Sequence, residues 1–320
     1  MKVFWRVQDV PRDPHTVLSV GTFDGVHRGH QVILQNMLIA AQQDNCRDLV
    51  VTFHPHPRQV LAGDRRPPIQ LLTTIEERLD LLAKFGVQYT LVVHFDKTVA
   101  ALEAEEFVKQ FLVDAIGVCR IFVGTDHSFG KGRRGNVQLL QQLGKQYGFT
   151  VDAVPPVMEG GEKISSTRIR KALREGQLAE ANQMLGYEYF VCGTVVRGDG
   201  RGQLLGFPTA NIEPLEPQKL LPKNGVYFVS AQIRGRQVFG MANIGTRPTF
   251  THDSNPRLEV HFLNFDEYLY DERICVVFHQ YLREERKFDT VDLFLSQLFE
   301  DRMQCEELIV QYQQATLDHS

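Results

Sequence analysis

The stretch Thr16-Val17-Leu18-Ser19-Val20-Gly21-Thr22-Phe23-Asp24-Gly25-Val26-His27-Arg28-Gly29-His30 reads as a buried strand over residues 16–21 that ends on glycine and opens a helix. The helix is predicted over residues 30–43, where HQVILQNMLIAAQQ joins helical apolar spacing to good helix formers. A helix N-terminus carries unpaired N–H groups and the positive end of the dipole, so it attracts phosphate. Glycines beside it let backbone approach a ligand closely. His27 and His30 are three apart and share a face at the helix entrance. Two imidazoles placed there can donate to phosphate oxygens and follow charge as it builds up. The plainer reading is a glycine-rich turn with two surface histidines; the strand-turn-helix context favours the phosphate site.

Outward from this segment the first half keeps a β-α-β-α rhythm. A strand at 49–53 is stopped by His54-Pro55-His56-Pro57. A helix at 73–85 has Thr73 as N-cap, Glu76 at the capping-box position and Gly86 as stop. Strands follow at 89–95, 120–123 and 150–154, with helices at 104–116 and 138–147. That alternation predicts a Rossmann-like parallel sheet with helices on both faces. After Gly186 the rhythm changes: strand-like runs at 189–196, 225–233, 237–244, 257–263 and 273–281 succeed one another across glycine-rich turns. They predict an antiparallel β-barrel, closed by a terminal helix within 291–312. The expected domains are 1–185 and 186–320, the boundary following a helix that begins near Thr167.

A length of 320 residues fits two domains, each large enough for its own core. Lys plus Arg is 35 and Asp plus Glu is 39, a formal charge of −4, which speaks against general nucleic-acid binding. The five cysteines are scattered without a Cys-x-x-Cys pair, so they read as reduced thiols rather than a zinc or redox motif. Arg6, Asp9 and Arg12 interrupt any N-terminal apolar stretch, and nowhere do 18 apolar residues run together. A cytoplasmic chain without membrane, nucleic-acid or obligate protein partner is expected.

Gly-x-Phe-Asp-Gly-x-His-x-Gly-His, at 21–30, resembles the nucleotide-binding signature of the nucleotidyltransferase superfamily, related to class I aminoacyl-tRNA synthetases. Its usual companion is a Ser-Ser-Thr-x-x-Arg segment, present here as Ser165-Ser166-Thr167-Arg168-Ile169-Arg170, with Lys163 adding charge nearby. The resemblance implies that Gly21, Phe23, Asp24, Gly25, Gly29, Ser165, Ser166, Thr167 and Arg170 bind ATP, and that His27 and His30 serve adenylyl transfer. Thr52-Phe53-His54-Pro55-His56-Pro57 and Val123-Gly124-Thr125-Asp126-His127-Ser128-Phe129-Gly130 follow predicted strands. They look like flavin-side segments of the FMN adenylyltransferase module of bacterial bifunctional riboflavin kinase/FAD synthetases. On that likeness Pro55, His56 and Asp126 bind flavin; His54, where relatives often carry an acid, is given no role. Residues 124–131 are no P-loop, because the spacing is one too long and Gly132 stands where Ser or Thr is needed.

The second dense segment is Asp199-Gly200-Arg201-Gly202-Gln203-Leu204-Leu205-Gly206-Phe207-Pro208-Thr209-Ala210-Asn211. Its glycines suit a loop whose N–H groups wrap phosphates. The Pro-Thr-Ala-Asn core resembles the riboflavin kinase signature, which implies that Gly200, Gly202, Gly206 and Pro208 contact ATP and that Thr209 and Asn211 hold Mg²⁺. Hard oxygen donors are what Mg²⁺ prefers. In Arg257-Leu258-Glu259-Val260-His261-Phe262 a strand alternation puts Glu259 opposite the apolar face, and Glu259 matches the family's catalytic base. The segments at 225–227, 243–248 and 282–288 also look like this family.

The resemblance implies two chemistries. Phosphorylating the riboflavin hydroxyl needs a base, whereas the FMN phosphate is already anionic and needs only positioning and charge neutralisation. The expected enzyme makes FMN from riboflavin, then FAD and pyrophosphate from FMN, with ATP in both steps. Two rivals stand beside it: a nucleotidyltransferase for another phosphorylated small molecule with the barrel as a flavin sensor, and a synthetase-like tRNA binder.

Overall fold

The structure is a computed structural model that describes residues 1–61, 68–198, 200, 202, 205–245 and 256–318, with side chains to residue 314. Asp199, Arg201, Gln203, Leu204 and Thr246-Arg247-Pro248 of the motifs above lie outside the described residues. Packing divides the chain into two compact units, Met1–Ser166 and Thr167–Ser320.

The first unit is built on six parallel strands: β1 (Lys2–Phe4), β2 (Thr16–Val20), β3 (Arg47–His54), β4 (Tyr89–His94), β5 (Val118–Gly124) and β6 (Thr150–Val154). They lie in the order β1-β4-β3-β2-β5-β6. Every residue of β2 is buried, as expected for a central strand covered on both faces. The covering helices include α1 (Arg28–Gln43), α2 (Pro57–Leu61), α3 (Ile75–Lys84), α4 (Lys97–Ala101), α5 (Ala104–Phe107) and α6 (Val137–Tyr147). The predicted helix at 104–116 starts as α5 and then widens over Val108–Ile116, where Gly117 N–H reaches back five residues to Leu112 O at 3.0 Å. Val108, Leu112 and Ile116 still point into one core with Leu18, Leu49, Leu91 and Ile121. A short hairpin, β7 (Met158–Glu159) with β8 (Glu162–Lys163), closes the unit.

The cap of α3 lies one residue later than the sequence reading has it. Thr74 Oγ1 accepts from Glu77 N–H at 3.2 Å, and the Glu77 carboxylate accepts from Thr74 N–H at 2.9 Å. Thr-Thr followed by Glu-Glu allows two registers of the same capping box. Only the later one leaves Thr73 available for Asp24.

In the second unit α7 (Ser166–Glu175) and α8 (Leu178–Leu185) precede a barrel. The sequence boundary at 185/186 leaves these helices with the first domain; they pack with the barrel. Leu173 O accepts from Lys223 N–H at 2.9 Å, and the Asn182 amide donates to Phe278 O at 3.3 Å. The barrel is closed and antiparallel in the order β10-β13-β12-β11-β14-β9. Its strands are β9 (Phe190–Val196), β10 (Ala210–Pro214), β11 (Gly225–Ile233), β12 (Arg236–Gly245), β13 (Arg257–Phe262) and β14 (Arg273–Arg283). The terminal helix α9 (Val291–Asp318) lays Leu295, Leu298, Leu308, Ile309 and Tyr312 against barrel residues such as Phe228, Phe239 and Met241.

One expectation is corrected here. Cys192 and Cys275 face one another in the β9/β14 register and are joined as a disulfide, whereas Cys46, Cys119 and Cys305 are free. Only strand pairing, which spacing alone does not reveal, brings residues 83 apart in sequence into contact.

Thr74→Ala should destabilise the first unit by about 1–2 kcal/mol, the range for loss of a buried N-cap. A urea titration checks it: the midpoint falls and the slope is unchanged.

Candidate active sites

The parallel sheet turns back on itself between β2 and β5. The chain steps outward from β2 to β3 and β4, then returns to the other side of β2 for β5 and β6. Ligands of open α/β sheets bind in the crevice at the carboxyl ends of such a pair. The two loops that leave these ends are Gly21–His27, after β2, and Gly124–Gly130, after β5.

The first loop is a strained turn. Phe23 (φ 48°) and the β-branched Val26 (φ 32°) adopt left-handed backbone, each at a cost of about 1–3 kcal/mol. Asp24 pins it. Its carboxylate is 1% exposed and accepts from Thr73 N–H at 3.0 Å, Thr73 Oγ1–H at 3.2 Å and Leu72 N–H at 3.3 Å. Thr73 Oγ1 in turn accepts from Gly25 N–H at 3.0 Å. The side chain of Asp24 therefore binds the loop to the start of α3. Ser166 Oγ donates to Asp24 O at 3.0 Å, so Ser166 meets the same turn.

His27 caps α1 through its backbone, its carbonyl accepting from His30 and Gln31 N–H at 2.7 and 3.0 Å. The His27 and His30 rings stack at 3.7 Å, and the Phe23 ring meets His30 edge-on at 5.2 Å. Gly29 gives this stack room: a Cβ there would stand 3.2 Å from the His27 ring, a tight contact. His30 Nδ1 is buried and makes no hydrogen bond among the described residues. Burial pushes the His30 imidazole well below its ordinary pKa, and the nearby His27, Arg78 and Lys163 push the same way. His30 is thus held toward its neutral form.

On the second loop Asp126 forms an ion pair with Lys163 of β8. Burial would raise the Asp126 carboxyl, but the Lys163 ammonium outweighs it and holds the group below the usual range. Burial likewise lowers the neighbouring His127 to about 4. Pro55 and His56 follow β3; His56 is 5% exposed, and its Nδ1 accepts from Arg58 N–H at 3.0 Å. Thr167 and Arg170 belong to α7 of the second unit, where Arg170 is buried.

The barrel site is a cavity of about 600 Å³. Thr209 and Glu259 both line it. Across three neighbouring strands the register sets Asn211 opposite Glu259, and Glu259 opposite Asn243. Residues directly opposite in a ladder share a face, so the three polar residues form one row, with Thr209 two positions before Asn211. The glycine loop leads into this row. At Gly202 a Cβ would stand 2.3 Å from Phe207 O, so only glycine lets the loop fold onto itself. Gly200 and Gly206 also have left-handed backbone (φ 70° and 79°).

Sequence reasoning gave no role to several residues of this cavity. Asn243 faces Glu259, and His261 lies two residues beyond it on β13. Asp301 of α9 is 2% exposed and takes a bidentate pair from Arg283 at 2.8 and 2.6 Å. Phe294 and Leu298 supply an apolar wall. The alternation on β13 carried a signal for His261; the α9 residues carried none, because only the fold brings that helix over the barrel mouth.

Fold and cavity together define a two-part chain: a strained turn and helix entrance at the switch point of a parallel sheet, and a closed barrel whose cavity is lined by Thr209 and Glu259. The FAD synthetase family model matches residues 9–168, and the riboflavin kinase model matches residues 185–309. The bifunctional riboflavin kinase/FMN adenylyltransferase of Escherichia coli (strain K12) is 39% identical over 310 residues, which span 96% of this chain and 97% of that protein. That of Listeria monocytogenes is 39% identical over 289 residues, 90% of this chain and 91% of that protein. A crystal structure described as a macrolide-efflux protein from Streptococcus pneumoniae superposes with a TM-score of 0.82 at 32% identity, covering 94% of this chain and 97% of that one. The chain belongs to the bifunctional riboflavin kinase/FMN adenylyltransferase family. Among the described residues no helix is long and apolar enough to cross a membrane.

The lowered pKa values of His30 and His127 make the first unit acid-sensitive. Both groups are neutral when folded and take up protons on unfolding below about pH 6.5, the ordinary histidine value. Stability should therefore be full above that pH and decline as pH falls toward 4. Urea midpoints across this range check it, and His30→Asn should flatten the decline.

Proposed function

We propose that the chain phosphorylates riboflavin to FMN in the barrel domain, residues 186–320, and adenylylates FMN to FAD in the parallel-sheet domain, residues 1–185. ATP is the donor in both steps, and the products are FMN with ADP, then FAD with pyrophosphate. The observation that carries this reading is that Thr209 and Glu259 line one cavity, with Asn211 opposite Glu259 in the β10/β13 register.

In the kinase step Glu259 takes the proton from the riboflavin 5′-hydroxyl as that oxygen attacks the γ-phosphate. General-base help of this kind is worth about 10²–10⁴ in rate. Gly200, Gly202, Gly206 and Pro208 hold the ATP phosphates. Thr209 and Asn211 would hold Mg²⁺. The donor set fits: two neutral oxygens beside a phosphate loop, with no group of three or more His, Cys, Asp or Glu among the described residues to form an all-protein cage. When bound, Mg²⁺ supplies charge neutralisation on the phosphates. Phe294 and Leu298 receive the apolar part of the flavin.

In the adenylyl step the FMN phosphate attacks the α-phosphate of a second ATP and displaces pyrophosphate. No proton leaves the nucleophile. His27 and His30 donate to the phosphates from the α1 entrance, the 21–29 turn holds the nucleotide through its backbone, and Ser165 and Ser166 complete the phosphate contacts. Pro55, His56 and Asp126 face the flavin. The whole is a cytoplasmic enzyme that acts on small molecules, without a nucleic-acid or obligate protein partner.

Chromatography of the products from riboflavin, ATP and Mg²⁺ tests the reading, which expects FMN and then FAD. Glu259→Gln should slow FMN formation by about 10²–10⁴ and leave FAD formation from added FMN intact. His30→Ala should do the reverse. Loss of both reactions from either substitution, in protein that still unfolds cooperatively, would exclude two independent sites.

A further inference from the structure

We infer that His261 is a positioning residue for the barrel reaction: its imidazole holds the Pro208–Thr209 turn so that the Thr209 hydroxyl faces the cavity beside Glu259. The inference rests on the kinase reading above and extends it by one residue.

His261 lies two positions after Glu259 on β13, so both side chains stand on the same face of the strand, and both line the cavity. Its Nδ1 is 2.8 Å from Pro208 O. A carbonyl only accepts, so Nδ1 carries the hydrogen and the bond fixes the tautomer. The β10/β13 ladder begins at Ala210 opposite Val260. Pro208 lies before it, and proline has no N–H of its own to give. The imidazole thus anchors backbone that the ladder does not reach.

The anchored turn is also packed from its sides. The Phe207 ring lies 5.1 Å from His261 and 5.2 Å from Phe299 of α9. The Phe207 carbonyl sits against Gly202 of the nucleotide loop. A shift of Pro208 would move Thr209, which lies just ahead of β10, relative to Glu259 of β13. His261 is 8% exposed, and burial holds its imidazole below the ordinary value, which suits a neutral donor that stays in place.

The test compares His261→Leu, His261→Gln and His261→Asn in the full chain. The Asn amide nitrogen falls near the position of Nδ1, whereas the Gln amide reaches toward Nε2 and Leu has no donor. The readouts are kcat and KM for ATP in riboflavin phosphorylation at several Mg²⁺ concentrations, riboflavin binding by flavin fluorescence, and FAD formation from FMN. Leu and Gln should lower kcat/KM for ATP about tenfold, the size of one lost hydrogen bond, with a raised Mg²⁺ requirement. Asn should recover most of that loss. Riboflavin binding and FAD formation should hold in all three. Should the Leu variant lose riboflavin binding through misfolding, the Gln and Asn pair decides. Equal loss in Gln and Asn, or wild-type kinetics in Leu or Gln, overturns the positioning role. A wild-type chain that forms no FMN overturns the kinase reading instead, and the positioning role with it.

Discussion

The first unit depends on one buried carboxylate. Asp24 sits in a turn that two residues enter only under backbone strain, and a buried carboxylate is itself expensive unless several donors surround it. Leu72 and Thr73 supply those donors from the chain just ahead of α3, so the turn and the helix entrance are settled together. With the turn fixed, α1 starts at Arg28 and the two histidine rings stack at its mouth. The strain is thus part of the site: it aims backbone and imidazoles at the place where the sheet reverses its strand order.

The barrel solves a similar problem with a ladder. Asn211, Glu259 and Asn243 come from three strands, and hydrogen-bond register alone puts them in one row. A slip of one residue in any of these strands would turn its member of the row to the opposite face. Closure of the barrel guards that register, because every strand is paired on both sides. The terminal helix then supplies what strands cannot, an apolar wall fixed by the bidentate Arg283–Asp301 pair.

Much of this was legible in the sequence. The apolar run before Gly21 and the helical spacing after it located β2, α1 and the turn between them. The alternation in 257–262 gave β13 and the face of Glu259. What escaped has physical reasons. Two equivalent Thr/Glu registers preceded α3, and only the tertiary demand of Asp24 chose between them. The strand β10 was hidden inside a motif whose glycines and proline read as loop. The Cys192–Cys275 bond and the Arg283–Asp301 pair join distant segments, so no local pattern announces them. The α7 and α8 helices look like a continuation of the α/β rhythm, yet hydrogen bonds at Leu173 and Asn182 tie them to the second unit.

Closure has one more consequence, for how this chain meets its own copies. A sheet margin with unpaired N–H and C=O groups invites another strand to add to it, and the barrel offers no such margin. The parallel sheet has two, β1 and β6, of three and five residues. A lysine stands in the first, and Pro155-Pro156 follows the second directly. With the two-residue strands of the β7/β8 hairpin added, strand capture by a neighbouring molecule finds only brief templates among the described residues.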